Sequence, residues 1–188
     1  MSARNRILKD CARGAVKPLL VIELAILMVL VAALIFIMTN ISIPKGLPDR
    51  PTDGRLLVDK AGLFSYVNES TESFLELLRD RYQIETVILT LPSLKNLGTV
   101  EEAAAKLMTA WKIGERYGNR GLLLLYAAAE KEVKLEISYE LEDVFTDLFT
   151  GQAEDLQLKP YLRQGDANTG LSAVMEELEK RAVLKKEG

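Results

Sequence analysis

Apolar positions along this chain fall into three patterns: one unbroken run, several stripes at helical spacing, and short blocks of consecutive aliphatic residues. The unbroken run is Leu19 to Met38, LLVIELAILMVLVAALIFIM, interrupted only by Glu23. A membrane-spanning helix needs about 20 such residues. Pro18, just before it, suits a first helical turn, where its missing N–H costs nothing. The run exceeds the roughly 7–15 residues of a cleavable signal region, and Phe36 to Asn40 offers no small-residue cleavage pattern. The expectation is an uncleaved signal anchor.

Beyond it, Arg55 to Val58 reads as a short strand. Val67 to Tyr82 repeats apolar residues at helical spacing (Val67, Phe74, Leu75, Leu78, Tyr82). Ile84 to Leu91 is β-branched, apolar and closed by Pro92, which predicts a buried strand. Thr99 to Glu102 has the order of a capping box, and the helix it opens carries Val100, Ala104, Leu107, Met108 and Trp111 on one face, with Gly114 to close it. Gly121 to Ala128 is a second buried strand. Glu132 to Ser138 alternates, with Val133, Leu135 and Ile137 inward, and the two form a hairpin around Ala129-Glu130-Lys131. Asp143 to Gln164 and Asn168 to Leu184 read as helices, the second with a stripe of Leu171, Val174, Leu178 and Ala182. Strand–helix–strand implies parallel neighbours, and the hairpin adds an antiparallel one.

Charge sharpens the layout. Ahead of Pro18 stand Arg4, Arg6, Lys9, Arg13 and Lys17 against Asp10, a balance of +4, whereas from Asn40 onward 19 Lys/Arg face 25 Asp/Glu, a balance of -6. A basic flank stays cytoplasmic, which places the C-terminal part in the periplasm, a lumen or the cell exterior. Four segments are expected: a cytoplasmic basic flank (1–18), the transmembrane anchor (19–39), a spacer rich in proline (40–54) and an α/β domain (55–188). Glu23 either reaches back to the headgroups or makes a polar contact with another membrane helix. The acidic domain argues against nucleic acid as a partner.

The candidate chemistry is narrow. The chain has no histidine, and its single cysteine, Cys11, precedes the membrane run. Imidazole acid–base chemistry, histidine metal sites, disulfides and thiolate nucleophiles are therefore excluded from the domain. Gly118-Asn119-Arg120-Gly121 precedes a strand, whereas a phosphate-binding glycine loop must open a helix.

A series of segments resembles the TPM domain family. It comprises Leu57 to Ser65, Ile84 to Leu91, Trp111-Lys112-Ile113-Gly114, Gly121 to Leu125, Ser138-Tyr139-Glu140-Leu141-Glu142 with Thr146-Asp147, and Gly165-Asp166 with Gly170-Leu171. The resemblance covers Leu57 to Arg181. It implies an α/β/α sandwich with a mixed sheet of about four strands, tethered to a membrane outside the cytoplasm. It also implies assistance to a membrane complex, weak acid phosphatase activity in some members and calcium binding in others. The ligand motif departs from the family pattern: an Asp-Asn-Gly loop becomes Asn119-Arg120-Gly121, and Gly-Tyr-Gly-Leu-Glu becomes Ser138-Tyr139-Glu140-Leu141-Glu142. The matching positions that remain are Asp59, Glu142 and Asp147. With Asn119 and Glu140 they form a degenerate calcium-type set, since hard cations want six or more oxygens. The competing reading is a solvated Asp59 and acidic residues at the positive end of a helix. A third expectation gives Arg120 the ion's place, with its guanidinium reaching toward Glu142 or Asp59.

Two functions follow as expectations. One is an accessory protein that inserts in the bilayer through Leu19 to Met38 and docks its domain on a larger integral membrane complex. The other is a weak acid phosphatase using a carboxylate or calcium site. No cofactor other than calcium is expected.

Overall fold

A computed structural model describes residues 18–39, 46–64 and 68–187. The basic flank with Cys11, the first part of the spacer (40–45) and residues 65–67 lie outside the described residues. The chain divides into two compact units, Met1–Ser42 and Ile43–Gly188.

The first unit contains helix α1 (Pro18–Thr39), 22 residues long. Its described side chains run from Ile22 to Ile35, and every one is exposed. Among the described residues no helix is both long and apolar enough to cross a membrane. Those side chains number only fourteen, fewer than the about 20 a span requires, and both ends of the Leu19–Met38 run lie beyond them.

The second unit is an α/β domain on a four-stranded mixed sheet in the order β1-β2-β3-β4: β1 (Leu57–Asp59), β2 (Glu85–Leu91), β3 (Gly121–Ala127) and β4 (Glu132–Ile137). The first three strands are parallel, with Asp59 beside Thr90 and Glu85 beside Gly121; β4 returns antiparallel, with Leu122 opposite Ile137. Every residue of β2 and β3 is buried. Both faces of these strands are therefore covered, which is why they read as continuous apolar runs rather than as alternation. β4 alternates because one of its faces is polar.

Helix α2 (Asn68–Tyr82) packs on β1 and β2 through Leu75, Leu78 and Tyr82, with Glu69 in its first turn and Arg79 and Arg81 in its last, as the helix dipole favours. Helix α3 (Val100–Ala110) packs on β3 and β4 through the expected stripe. Only half of the capping box forms. Thr99 Oγ1 accepts the Glu102 N–H at 3.2 Å, while the Glu102 carboxylate turns to Lys106. The helix ends at Ala110 rather than at Gly114, because Trp111 is its C-cap and Lys112 (φ 52°) already reverses the chain.

The stretch expected as one helix from Asp143 is broken differently. A 3₁₀ turn at Tyr139–Leu141 is followed by α4 (Asp147–Gln152), a π-helical segment (Ala153–Leu158) and α5 (Lys159–Gln164). Thr146, whose hydroxyl accepts the Phe149 N–H, is the N-cap, while the Asp143 carboxylate is held by Lys185 at 2.9 Å. The π segment turns Glu154 onto β4. Gly170, on α6 (Ala167–Glu187), lets that helix approach closely: a Cβ there would lie 2.9 Å from the Gln157 carbonyl oxygen.

Both sheet edges are closed by carboxylates from helices. Glu72 accepts the N–H groups of Leu56 (2.7 Å) and Leu57 (2.9 Å) at β1. Glu154 accepts the N–H of Leu135 at 2.9 Å on β4 and pairs with Lys134 at 2.9 Å. N–H groups bonded in this way are not free to pair with a foreign strand. Replacing Glu154 with Ala strands the Leu135 N–H and should cost about 1–3 kcal/mol, read as chemical denaturation in mild detergent by the fluorescence of Trp111. Glu176→Ala, on an exposed helix face, should fall within about 0.5 kcal/mol of the parent. Equal effects of the two would show that Glu154 does not close the edge.

Candidate functional site

The residues singled out by the sequence divide between the two ends of the sheet. Asp59 ends β1 beside Thr90, near the carboxyl end of β2. Asn119 and Arg120 precede Gly121, which pairs with Glu85 at the opposite end. Five residue steps of β2 separate these levels, about 16 Å along the strand. Arg120 therefore cannot reach Asp59. Among the described residues no ion pair joins it to Glu142 either; its carbonyl accepts the Glu85 N–H at 2.9 Å. The expected approach of its guanidinium to Asp59 is therefore not made, and a pairing with Glu142 is not seen among the described residues.

Asp59 organises a loop. Its carboxylate accepts the N–H groups of Leu63 (3.0 Å) and Phe64 (2.9 Å) and the hydroxyl of Thr90, which itself accepts the Ala61 N–H at 2.8 Å. Gly62 supplies the left-handed residue (φ 69°) that lets the chain curl back. The curl delivers Phe64, fully buried, edge-to-face onto Tyr126 with ring centroids 5.2 Å apart. Burial raises the Asp59 pKa, but the hydrogen bonds from Thr90, Phe64, Leu63 and Gly62 outweigh it and hold the carboxyl below the ordinary aspartate range.

Glu142 and Asp147 do come together. With Lys134, Glu136, Phe145 and Thr150 they line a groove of about 150 Å³ along β4. Glu142 is exposed after the 3₁₀ turn that carries Glu140, and Asp147 sits in the first turn of α4, where the helix dipole favours it. Burial pushes the Glu136 carboxyl above the usual glutamate range; Lys134 opposes this, and Glu154 and Glu101 add to it. Asn119, exposed with φ 58°, sits next to Arg120 and Gly121, whose N–H donates to Ser138 Oγ at 2.8 Å. Among the described residues no group of three carboxylates could hold a metal ion.

A larger cleft, about 620 Å³, opens at the amino ends of β2 and β3, and the sequence analysis assigned no chemistry to the residues that line it. Its floor is Glu85, buried, with one oxygen 2.6 Å from Arg50 Nη2 and the other accepting the Gly114 N–H at 2.6 Å. Arg50 also donates to the Trp111 carbonyl, and the Trp111 indole N–H donates to the Pro48 carbonyl at 2.8 Å. The proline-rich segment, expected as a free spacer, is thus fastened to the domain from Pro48 to Arg50. Arg79, Lys112, Glu115, Arg116 and Tyr117 complete the walls. These cations are scattered from residue 50 to residue 116, so no local pattern in the sequence points to the cleft.

An α/β domain with three parallel strands, one antiparallel edge and this pair of grooves defines a fold class rather than a reaction. Residues 57–181 match the TPM domain family, and the chain belongs to it. Among solved structures, the N-terminal domain of a protein from P. gingivalis, determined by NMR, is 28% identical with a TM-score of 0.63, covering 71% of this chain and 85% of that one. The N-terminal domain of the cg2496 protein from Corynebacterium glutamicum has a TM-score of 0.52 at 14% identity, covering 75% and 89%, and shares the fold alone. A search of curated proteins found no match.

Because the folded pKa of Asp59 lies below its unfolded value of about 3.9, its stabilisation is complete above that value and is lost as pH falls through the folded pKa. Asp59→Asn should therefore melt below the parent at pH 7, with the gap narrowing below about pH 4. A gap independent of pH would remove the charge from the account.

Proposed function

We propose that this protein is a membrane-anchored accessory factor whose TPM domain docks outside the cytoplasm on a larger integral membrane complex. The observation that carries the reading is α1: a 22-residue helix whose sequence is apolar on every side apart from Glu23 and whose described side chains are all exposed. A helix apolar on every side needs an apolar surrounding, in a protein core or in a bilayer. The apolar run Leu19 to Met38 has the length for the second, and the flank charge of +4 sets its orientation. On the domain, Tyr139 and Leu148 are strongly exposed on the segment that carries Glu142 and Asp147. They offer a docking partner apolar anchors beside charge.

The second reading is a weak acid phosphatase. It draws on the groove in which Glu136, Glu142 and Asp147 meet Lys134 and Thr150. It ranks second because a carboxylate mechanism also needs groups that stabilise charge on the phosphoryl oxygens, and Lys134 is engaged by Glu154. Turnover of a chromogenic phosphate, abolished by Glu142→Gln, would promote it over the first.

A reporter active only outside the cytoplasm, fused after Gly188, should be active, and reversing the charges of Arg4, Arg6, Lys9 and Arg13 should reduce that activity. Cytoplasmic reporter activity from the unaltered fusion would overturn the topology. Full-length protein drawn from its native membrane in mild detergent should bring the same integral membrane subunits in replicate preparations, and the domain alone should recover fewer. Recovery of the protein by itself would overturn the docking.

A further inference from the structure

The cleft at the amino ends of β2 and β3 runs against the charge of the domain that holds it. From Asn40 onward the chain carries -6, yet the cleft is lined by Arg50, Arg79, Lys112 and Arg116 against Glu85 and Glu115. Both oxygens of Glu85 are engaged inside the fold, by Arg50 and by the Gly114 N–H, so its charge is not offered to a ligand. A cationic cavity in an acidic domain draws anionic groups to one place. We propose that this cleft receives a short acidic peptide segment of the docking partner. The proposal rests on the docking reading above and gives the chemistry of one contact within it.

The cations are available to carboxylates on different terms. Arg50 is pre-set: Glu85 and the Trp111 carbonyl hold its guanidinium while the side chain remains about one-third exposed. Holding it before binding lowers the ordering cost that a peptide would otherwise meet. Arg79 is braced by Asp80, which accepts from its Nε at 2.7 Å. Lys112 pairs with Glu115 at 3.2 Å, and both are well exposed, so that pair contributes little and exchanges readily for a carboxylate of the partner. Arg116 is exposed and, among the described residues, makes no ion pair. Its guanidinium is free to take a carboxylate with both arms of its fork.

Size and charge together favour a peptide over other anions. A volume of about 620 Å³ exceeds what a single carboxylate fills and lies within the about 300–1,000 Å³ of sites that enclose a whole ligand, so several residues can enter together. The cations come from three separate segments, the chain entering the domain, the end of α2 and the loop after α3, which suits carboxylates carried on successive residues. Tyr117, half-buried on the wall, gives an apolar neighbour in the same peptide a ring to lie against. The loop that carries Lys112 and Arg116 is fixed: Gly114 lies in the left-handed region (φ 84°), and a Cβ there would fall 2.4 Å from the Gly121 backbone nitrogen. A nucleic acid or an anionic bilayer would extend beyond the cleft and meet the acidity of the remaining domain, whereas a short segment enters the cleft alone.

The test uses the full chain in phosphatidylcholine nanodiscs at physiological salt, titrated with a blocked octapeptide of alternating Glu and Ser. Its neutral twin, with Gln for Glu, is the control. Trp111 is the only tryptophan and lines the cleft, so its fluorescence reports binding; calorimetry checks the stoichiometry. Saturable binding of the acidic peptide is expected, weakening as salt is raised, with the neutral twin weaker by about tenfold or more. Arg116→Glu and Lys112→Glu, both at exposed positions, should each weaken it by a similar factor, whereas Lys60→Glu, outside the cleft, should not. Melting curves confirm that the variants fold. Absent saturation, affinity unchanged by both reversals, or equal binding of the neutral twin would overturn the proposal. Phosphatidylglycerol doped into the disc tests the lipid alternative: a tenfold drop in peptide affinity would hand the cleft to a lipid surface and overturn it too. The full chain carrying both reversals should also recover fewer integral membrane subunits from its native membrane than the parent. Equal recovery would overturn the proposal and leave the docking reading standing. A parent that recovers none marks the failure of the docking reading itself, and the titration then still decides the chemistry of the cleft.

Discussion

The structure depends on one constraint: β2 and β3 are buried along their entire length, so every backbone group where the sheet stops must find a partner other than water. Carboxylates meet that demand at four margins. Glu72 closes β1, and Glu154 closes β4. Asp59 gathers the N–H groups of the loop after β1, and Glu85 holds the Gly114 N–H at the other end. A carboxylate suits this role because an anionic acceptor makes hydrogen bonds roughly twice as strong as a neutral one. Asp59, expected either as an ion ligand or as a solvated residue, is one of these four.

These margins also set the two grooves. Glu85 fixes Arg50, which with Trp111 ties down the chain entering the domain. Those bonds shape the cationic cleft. Glu154, presented by a π-helical turn, holds Lys134 and the β4 backbone, and Glu136, Glu142 and Asp147 gather along the same strand. π-helical turns are often found at functional positions. This one brings a buried carboxylate to an edge strand.

Asp59 shows how a family motif acquires a physical meaning. Leu57 to Phe64 matches the family at a place where one carboxylate, one left-handed glycine and one buried aromatic ring cooperate to fold a loop onto the sheet. The match is accounted for without any ligand. Asn119 and Arg120 sit at the other end of the sheet from it, so the departures at those positions leave the Asp59 loop intact.

The sequence alone determined the element order, the two continuously buried strands, the hairpin and the apolar helical stripes, because burial on one face or two leaves a period that local reading detects. It also determined the family, the charge asymmetry and the absence of histidine. It could not separate Asp59 from Asn119 and Arg120, because spacing along the chain does not show that the end of β1 and the start of β3 stand at opposite ends of the sheet; strand register puts the two levels about 16 Å apart along β2. It placed one helix from Asp143 to Gln164, because periodicity does not register an inserted π turn or the pull of Lys185 on Asp143. Tertiary structure alone assembled the cationic cleft. Its residues come from the spacer, the end of α2, the start of β2 and the loop after α3, and only the pairing of parallel strands brings segments so far apart in the chain to one end of the sheet.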